Sequence, residues 1–230
     1  MKIPMSNRLL TVAGMIRKGD RVADIGCDHG YLGIHLLTNG IAAHMIESDV
    51  AEGPLDSARR NARKFHTANA TTFCLSDGAK DIPRDFDVLV CAGMGADTII
   101  SILGAAPWLK EGYRLVLQCQ SKRPELRRWL YDNGYRITRE TLAQDGKFIY
   151  TVMEVVFDPG HSITPAEAHI TRQLLEDKSP LLPAFYDRVR YGIRMTVEGM
   201  RRSGSDQLPA YEALLRELDT LEVEIYGNCE

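Results

Sequence analysis

The segment Arg21-Val22-Ala23-Asp24-Ile25-Gly26-Cys27-Asp28-His29-Gly30-Tyr31-Leu32-Gly33 constrains this chain more than any other. A short apolar run with an acid near its end breaks at Gly26, and apolar residues resume with helical spacing from Tyr31 to Leu37. That pattern predicts strand, tight turn, helix. Such a turn sits at the end of a parallel sheet where phosphates or nucleosides bind. The residues within it discriminate between ligands.

A dinucleotide fingerprint needs glycines at the first, third and sixth positions, because backbone amides must approach a pyrophosphate closely. Counted from Gly26, the third position is Asp28. A carboxylate there crowds and repels a diphosphate, which argues against a nicotinamide-dependent dehydrogenase. S-adenosylmethionine carries no phosphate. Its sulfonium and α-ammonium groups make acids useful, with Asp24 near the amino-acid end and Asp28 near the reacting end. Gly26 and Gly30 let the chain turn under the nucleoside.

The rest of the chain extends the pattern. Residues 6–16 place Leu9, Val12, Ala13 and Ile16 on one helical face, with Ser6 as the N-cap. A second strand, 43–49, ends in Asp49, 23 residues after Gly26, where an acid can accept hydrogen bonds from both ribose hydroxyls. Glu47 is the alternative on that strand. A helix over 53–64 follows, then a strand over 70–75 closing on Ser76-Asp77-Gly78, an acidic loop suited to an adenine amino group. The unbroken apolar run Phe86 to Ala92 predicts a fully buried strand that terminates in Gly93-Met94-Gly95, where a flat group can lie against backbone. A helix from Thr98, a strand over 112–119 and a helix over 124–133 come next. Two last strands, 135–142 and 148–157, flank an Asp145-Gly146 hairpin signal. The expected fold is α/β, a Rossmann-like seven-stranded sheet over residues 1–158.

After Gly160 no strand pattern appears. Thr164-Pro165-Ala166-Glu167 has the composition of a capped helix start, and Ser179-Pro180 opens a second helix running to about Arg202. Tyr211, Leu214, Leu218, Leu221 and Ile225 recur at spacings of three and four, a coiled-coil seam. Leu182, Phe185, Val189, Gly192, Thr196 and Gly199 are its expected partners, the glycines allowing close approach. Residues 161–230 therefore read as a helical coiled-coil domain.

A chain of 230 residues with 44% hydrophobic and 26% charged residues is ordinary for a soluble globular protein. No apolar run nears the roughly 18 residues of a membrane span and no signal-peptide core lies in residues 1–6, so a cytoplasmic protein is expected. Cys27, Cys74, Cys91, Cys119 and Cys229 are scattered, with no metal-ligand spacing. They read as reduced, mostly buried thiols, with no metal site. The net charge of −3 divides unevenly: 20 Lys+Arg stand against 19 Asp+Glu up to Gly160, and 8 against 12 beyond it. Any anion binding must come from local clusters.

With these residues in place the sequence resembles the bacterial tRNA adenine-N1 methyltransferase family TrmK. The resemblance runs through Ser6-Asn7-Arg8-Leu9, Ala23 to His29, Glu52-Gly53-Pro54, Ala92-Gly93-Met94-Gly95, Leu115 to Gln118 and the helical tail. Departures are Gln118-Cys119-Gln120, where the family tends to show Gln-Pro-Asn, and Ala96 in place of a glycine.

The resemblance implies methyl transfer from S-adenosylmethionine to N1 of adenine 22 in tRNA; no membrane and no metal is expected as a partner, and the oligomeric state stays open, with a monomer slightly favoured. Asp24, Gly26, Cys27, Gly30, Asp49, Ser76, Asp77, Gly78, Ala92, Gly93 and Met94 are then the cofactor-binding residues. Asp28, with His29 beside it, is the candidate to stabilise the developing cation, the alternatives being a turn cap and a structural hydrogen bond. Arg8, Arg17, Lys18, Lys122, Arg123, Arg127, Arg128, Arg188, Arg190, Arg194, Arg201 and Arg202 are the candidates to grip phosphates. Two other readings stay open: a methyltransferase with a different acceptor, and a non-catalytic module whose coiled coil recruits a partner.

Overall fold

Seven apolar runs form strands: β1 (Arg21–Ile25), β2 (His44–Asp49), β3 (Thr71–Leu75), β4 (Val88–Met94), β5 (Arg114–Cys119), β6 (Tyr135–Asp145) and β7 (Phe148–Phe157). They make one sheet in the order β3-β2-β1-β4-β5-β7-β6 in a computed structural model that describes residues 3–227. The expectations for Met1, Lys2 and Cys229 lie outside the described residues. β1 to β5 run parallel, and β7 pairs antiparallel with both β5 and β6. The chain winds outward from β1 to β3, then returns to lay β4 on the other side of β1. The winding reverses between β1 and β4.

Helices cover both faces, which explains the unbroken apolar runs of the central strands. On one face Ala23, Ile25, Leu89, Cys91, Leu115 and Leu117 pack against α4 (Ala96–Gly104) and α5 (Arg123–Asp132). On the other, Val22, Val88, Val90 and Val116 meet α1 (Asn7–Ala13) and α2 (Tyr31–Thr38), while α3 (Glu52–Lys64) lies against β2 and β3. Ser6 caps α1 by accepting from the Leu9 amide at 3.3 Å, as its position predicts. β4 continues through Gly93 and Met94 instead of ending before them, with a register shift between Ala92 and Met94. Cys27, Cys91 and Cys119 are buried and Cys74 partly so.

The helical region departs from expectation twice. The Thr164–Glu167 box does form, Thr164 N donating to Glu167 at 2.8 Å and Glu167 N to Thr164 Oγ1 at 3.2 Å. No helix follows from it. The Ala168 and His169 carbonyls, which a continuing helix would use, accept instead from the Arg127 guanidinium at 2.9 and 2.8 Å. Helix α6 (Arg172–Asp177) begins only afterwards, capped by Thr171. In α7 (Leu182–Ser203) the buried residues are Leu182, Phe185, Tyr186, Ile193 and Val197. They pack on Leu214 and Leu218 of α8 (Leu208–Thr220) and on Ile225 of α9 (Glu222–Tyr226). The expected Gly192-Thr196-Gly199 seam is therefore wrong: a Cβ at either glycine would meet nothing within 4 Å. Past Val189 the seam advances by four residues, because burying Ile193 and Val197 removes more apolar surface than an approach at glycine.

The helical core includes Leu142 and Ile149 from β6 and β7, so the arm is seated on the hairpin. Its anchor is a fully enclosed ion pair, Arg127 Nη2 to Glu140 Oε1 at 2.5 Å, with Thr171 donating to the other Glu140 oxygen at 2.6 Å. Removing one partner leaves a buried charge uncompensated. Arg127→Ala or Glu140→Ala should each lower the unfolding free energy by about 3–5 kcal/mol in urea titrations, whereas Arg127→Met combined with Glu140→Leu should recover most of that loss.

Candidate active site

The turn after β1 is held from below by backbone. Gly26 N and Cys27 N both donate to the Ser48 carbonyl, at 2.8 and 3.0 Å, tying the end of β1 to β2. The chain then takes left-handed values at Gly26 (φ 73°), Asp28 (φ 51°) and Gly30 (φ 68°). Asp28 is the residue for which that conformation costs most, and Asp49 Oδ2 supports it by accepting its amide at 3.3 Å. Asp49 Oδ1 accepts from Ala51 N at 3.0 Å. Gly26 is favoured by its left-handed backbone, and a Cβ there would also displace the Met94 side-chain tip, 2.3 Å away.

Two adjoining cavities open at this end of the sheet, between the ends of β1 and β4. The first, about 260 Å³, is lined by Asp24, Cys27, Asp28, His29, Tyr31, Ala92, Gly93, Gln120 and Arg8. The second, about 420 Å³, is lined by Asp49, Ser76, Asp77, Gly78, Asp97 and Thr98. Gly26 and Met94 border both, so they form one cleft in two chambers with the Met94 side chain between them.

The residues expected from sequence are thus gathered, with differences in detail. Asp24 is buried and opens into the first chamber without accepting a hydrogen bond from the described residues. Gly30 lines neither chamber; a Cβ there would sit 3.0 Å from Ala58 Cβ, so it lets α2 and α3 approach. The Ser76 hydroxyl shapes its own loop, donating to Gly78 O at 3.0 Å and accepting from Asp81 N at 3.1 Å. Asp77 pairs with Lys80 at the rim. Asp28 and His29 stand exposed at the mouth, 3.7 Å apart.

Glu47, the alternative to Asp49, does not reach the cleft. Its carboxyl is enclosed beneath α2 in space that exists only because Gly33 has no side chain: a Cβ there would be 1.8 Å from Glu47 Oε1. Sequence reasoning also missed Arg8 as part of the cleft. Its Nη1 donates to Gln118 Oε1 at 2.6 Å across 110 residues of chain, a contact with no local signal.

Burial dominates the titration of these acids. It raises the Asp24 carboxyl to about 7, helped by the charge of Asp49 and opposed by that of Arg8. Glu47 is held well above the usual carboxylate range by burial and by Asp24, with a hydrogen bond from Cys27 pulling the other way. Burial and the surrounding acids push the Cys27 thiol upward, so it stays protonated and is a poor nucleophile.

Residues 5–153 match the family described as a methyltransferase domain. The chain belongs to that family. This methyltransferase is 35% identical over 158 residues to a putative tRNA methyltransferase of Mycoplasma genitalium, an alignment covering 66% of this chain and 69% of the relative. It is 35% identical over 149 residues to the Bacillus subtilis tRNA (adenine(22)-N(1))-methyltransferase, covering 64% and 63%. Against the crystal structure of the B. subtilis m1A22 tRNA methyltransferase TrmK the TM-score is 0.83 at 26% identity, covering 97% of this methyltransferase and 100% of that chain. The likeness thus extends over the helical arm.

Asp24 has a consequence for stability. The folded protein holds its proton more tightly than the unfolded chain, so the contribution is present below pH ~4 and is lost as pH rises towards about 7. Asp24→Asn removes that loss. In thermal unfolding without ligand, the variant should gain on the wild type between pH 5 and 8, the gap levelling above pH ~7.

Proposed function

We propose that this methyltransferase transfers a methyl group from S-adenosylmethionine to N1 of an adenine in tRNA, adenine 22 being the position. The observation that carries the donor reading is Asp24, a buried carboxylate with no hydrogen-bond donor from the described protein, open to a cleft that also holds Asp49. An acid in that state calls for a cationic ligand. The two chambers match the two ends of such a molecule. Asp24 would receive the α-ammonium group in the first; Asp49, with lone pairs left after its two backbone contacts, would accept the ribose hydroxyls at the border of the second. The Ser76-Asp77-Gly78 loop would flank the adenine. The sulfonium supplies an electrophilic methyl.

Adenine N1 already has a lone pair, so the protein's task is to orient the base and stabilise the cation that forms. Asp28 stands at the mouth with its carboxylate exposed, on a left-handed backbone, and lines the same chamber as the buried Asp24. It is the group to hold the developing positive charge and to take a proton from the exocyclic amine. His29 and Tyr31, with ring centroids 5.6 Å apart, form an aromatic edge beside it against which a flipped base can lie.

The acceptor reading is supported by the identity to the B. subtilis enzyme and by the arm. Among the phosphate-gripping candidates, many cations are already engaged. Arg17 binds Glu154, Lys122 Asp97, Arg127 Glu140, Arg190 Asp219 and Arg201 Glu212, while Arg123 is stacked on Phe185. Lys18, Arg128, Arg188, Arg194 and Arg202 make no ion pair among the described residues and are the cations to meet RNA. No described helix is long and apolar enough to cross a membrane.

Incubating the protein with labelled donor and a bulk tRNA pool, then mapping the product, should place the methyl on adenine N1 at position 22. No label in any tRNA would refute the acceptor. Asp49→Ala should weaken donor binding about 10-fold or more by calorimetry. Asp28→Asn should keep donor affinity within about threefold while single-turnover methylation falls ~10²-fold or more; full activity would remove Asp28 from the mechanism.

A further inference from the structure

The tip of the β6–β7 hairpin carries aromatic surface that the fold does not require. Side chains alternate along β7: Ile149 enters the core of the arm, whereas Phe148 and Tyr150 take the opposite face of the sheet, where Val152 packs with the residues of α1. Phe148 stays 50% exposed. Its ring centroid lies 6.1 Å from that of Tyr150, and Lys147 Nζ stands 5.4 Å from it. The turn itself needs only Gly146, at φ 58°, to close. A single exposed apolar residue is ordinary; two rings side by side with a cation over one of them suit a ligand with a flat face.

Three helices fix this tip in place. Asn7 Nδ2 of α1 donates to Gln144 O at 3.2 Å, Arg123 Nη1 of α5 to Ile149 O at 3.5 Å and Arg188 Nη2 of α7 to Lys147 O at 3.5 Å. β6 runs in the same direction as β5, both being antiparallel to β7, so the hairpin turns at the end of the sheet where the cleft opens. Arg8, the residue after Asn7, lines the first chamber. On the far side of the tip Arg188, Tyr191 and Met195 recur at spacings of three and four along α7, all exposed, with Arg194 5.7 Å from the centre of the Tyr191 ring. Lys147, Arg188 and Arg194 make no ion pair among the described residues, and Asp145 is the one acid within residues 144–150. Aromatic faces interleaved with free cations beside a catalytic cleft fit unpaired nucleic acid, the rings stacking bases and the cations meeting phosphates.

We propose that the hairpin tip is a base-stacking platform: a nucleotide next to the target lies on the Phe148 ring with Tyr150 at its edge, while Lys147 and Arg188 hold its flanking phosphates. The proposal rests on the acceptor reading above and deepens it. When a target base leaves its stack, the face of its neighbour is uncovered. An aromatic ring beside the chamber covers that face and offsets part of the cost of extrusion. Stacking reads no base edge, so the platform accepts any base at that place. The competing occupant of an exposed aromatic tip is a second copy of this chain.

Binding of an unmodified tRNA transcript across a range of salt concentrations tests the assignment. Phe148→Leu keeps an apolar side chain and removes the π-face; it should weaken tRNA binding ~5–100-fold with the salt dependence unchanged, and Phe148→Trp should keep the wild-type affinity. Lys147→Met and Arg188→Met should each lower the slope of log affinity against log salt by about one. Calorimetry with S-adenosylmethionine and thermal unfolding should give wild-type values for both Phe148 variants, which checks the fold. Wild-type tRNA affinity in Phe148→Leu would overturn the platform while leaving the acceptor reading intact. Self-association of the wild type that Phe148→Leu abolishes, with tRNA affinity unchanged, would overturn it in favour of a dimer contact. If the wild type methylates no tRNA, the acceptor reading falls and the platform with it.

Discussion

The reversal of winding between β1 and β4 is the constraint from which the site follows. Both strands are parallel and paired, yet the connections that leave them go to opposite faces, so their ends part and no chain covers the gap. The opening lies where every parallel strand points its last residues. Backbone hydrogen bonds then hold its edges: Ser48 O fixes Gly26 and Cys27, and Met94 O accepts from Gln120 N at 2.8 Å. Because main chain builds most of the frame, with Asp49 adding support to the Asp28 and Ala51 amides, Asp24 and Asp28 are left without structural duty. Asp24 and Asp28 can be chosen for what they bind.

That freedom has an energetic cost. Asp24 and Glu47 are both enclosed; Asp49 raises the first and Asp24 the second, and only Asp24 has an opposing cation, Arg8. Such an arrangement opposes folding and persists only because the surrounding sheet over-determines it. The two acids resolve the conflict differently. Glu47 lies below the turn, away from the cleft, where burial and Asp24 favour its neutral form. Asp24 borders the cavity, where on the proposed reading a bound cation would restore its charge and relieve a cost already present in the free protein. If Asp24 receives the cation as proposed, donor binding would tighten as pH rises through about 7, because the proton must leave before the cation is fully accommodated.

The sheet was legible in the sequence because its signals are local. Apolar runs, glycines at strand ends and Asp145-Gly146 each report their own neighbourhood, and strands and turns fell within a few residues of their expected places. What was not legible depended on partners far along the chain. Arg8 reads as a surface cation until Gln118 is beside it. The Thr164 box reads as a helix start until Arg127 takes the next carbonyls. Glu47 and Asp49 are equivalent in sequence, being alternate residues on one strand; only the glycine at 33, opening a hole beneath α2, sends the first inward. The seam of α7 failed for another reason. A three-and-four alternation and a run of fours diverge after two turns, and the larger apolar residues decide between them.

The arm and the cleft are joined by one short stretch of chain. Gln118 holds Arg8, Gln120 lines the first chamber, Lys122 spans to Asp97 of α4 at 2.7 Å, Arg123 stacks on Phe185 at 4.9 Å and Arg127 grips Glu140. These residues sit on the end of β5 and the start of α5, with no flexible linker between them. A displacement of the arm relative to the chambers would therefore have to break the bonds from Arg127 to the Ala168 and His169 carbonyls and from Thr171 to Glu140, or strip Phe185 from Arg123. Both changes are expensive in a buried setting. For a structured RNA whose target base must enter a fixed chamber, a rigid spacing between the distant cations and that chamber selects a nucleotide by its distance along the fold, in addition to its chemistry. On the proposed reading, the residues that set the spacing would contribute to recognition alongside those that touch the base.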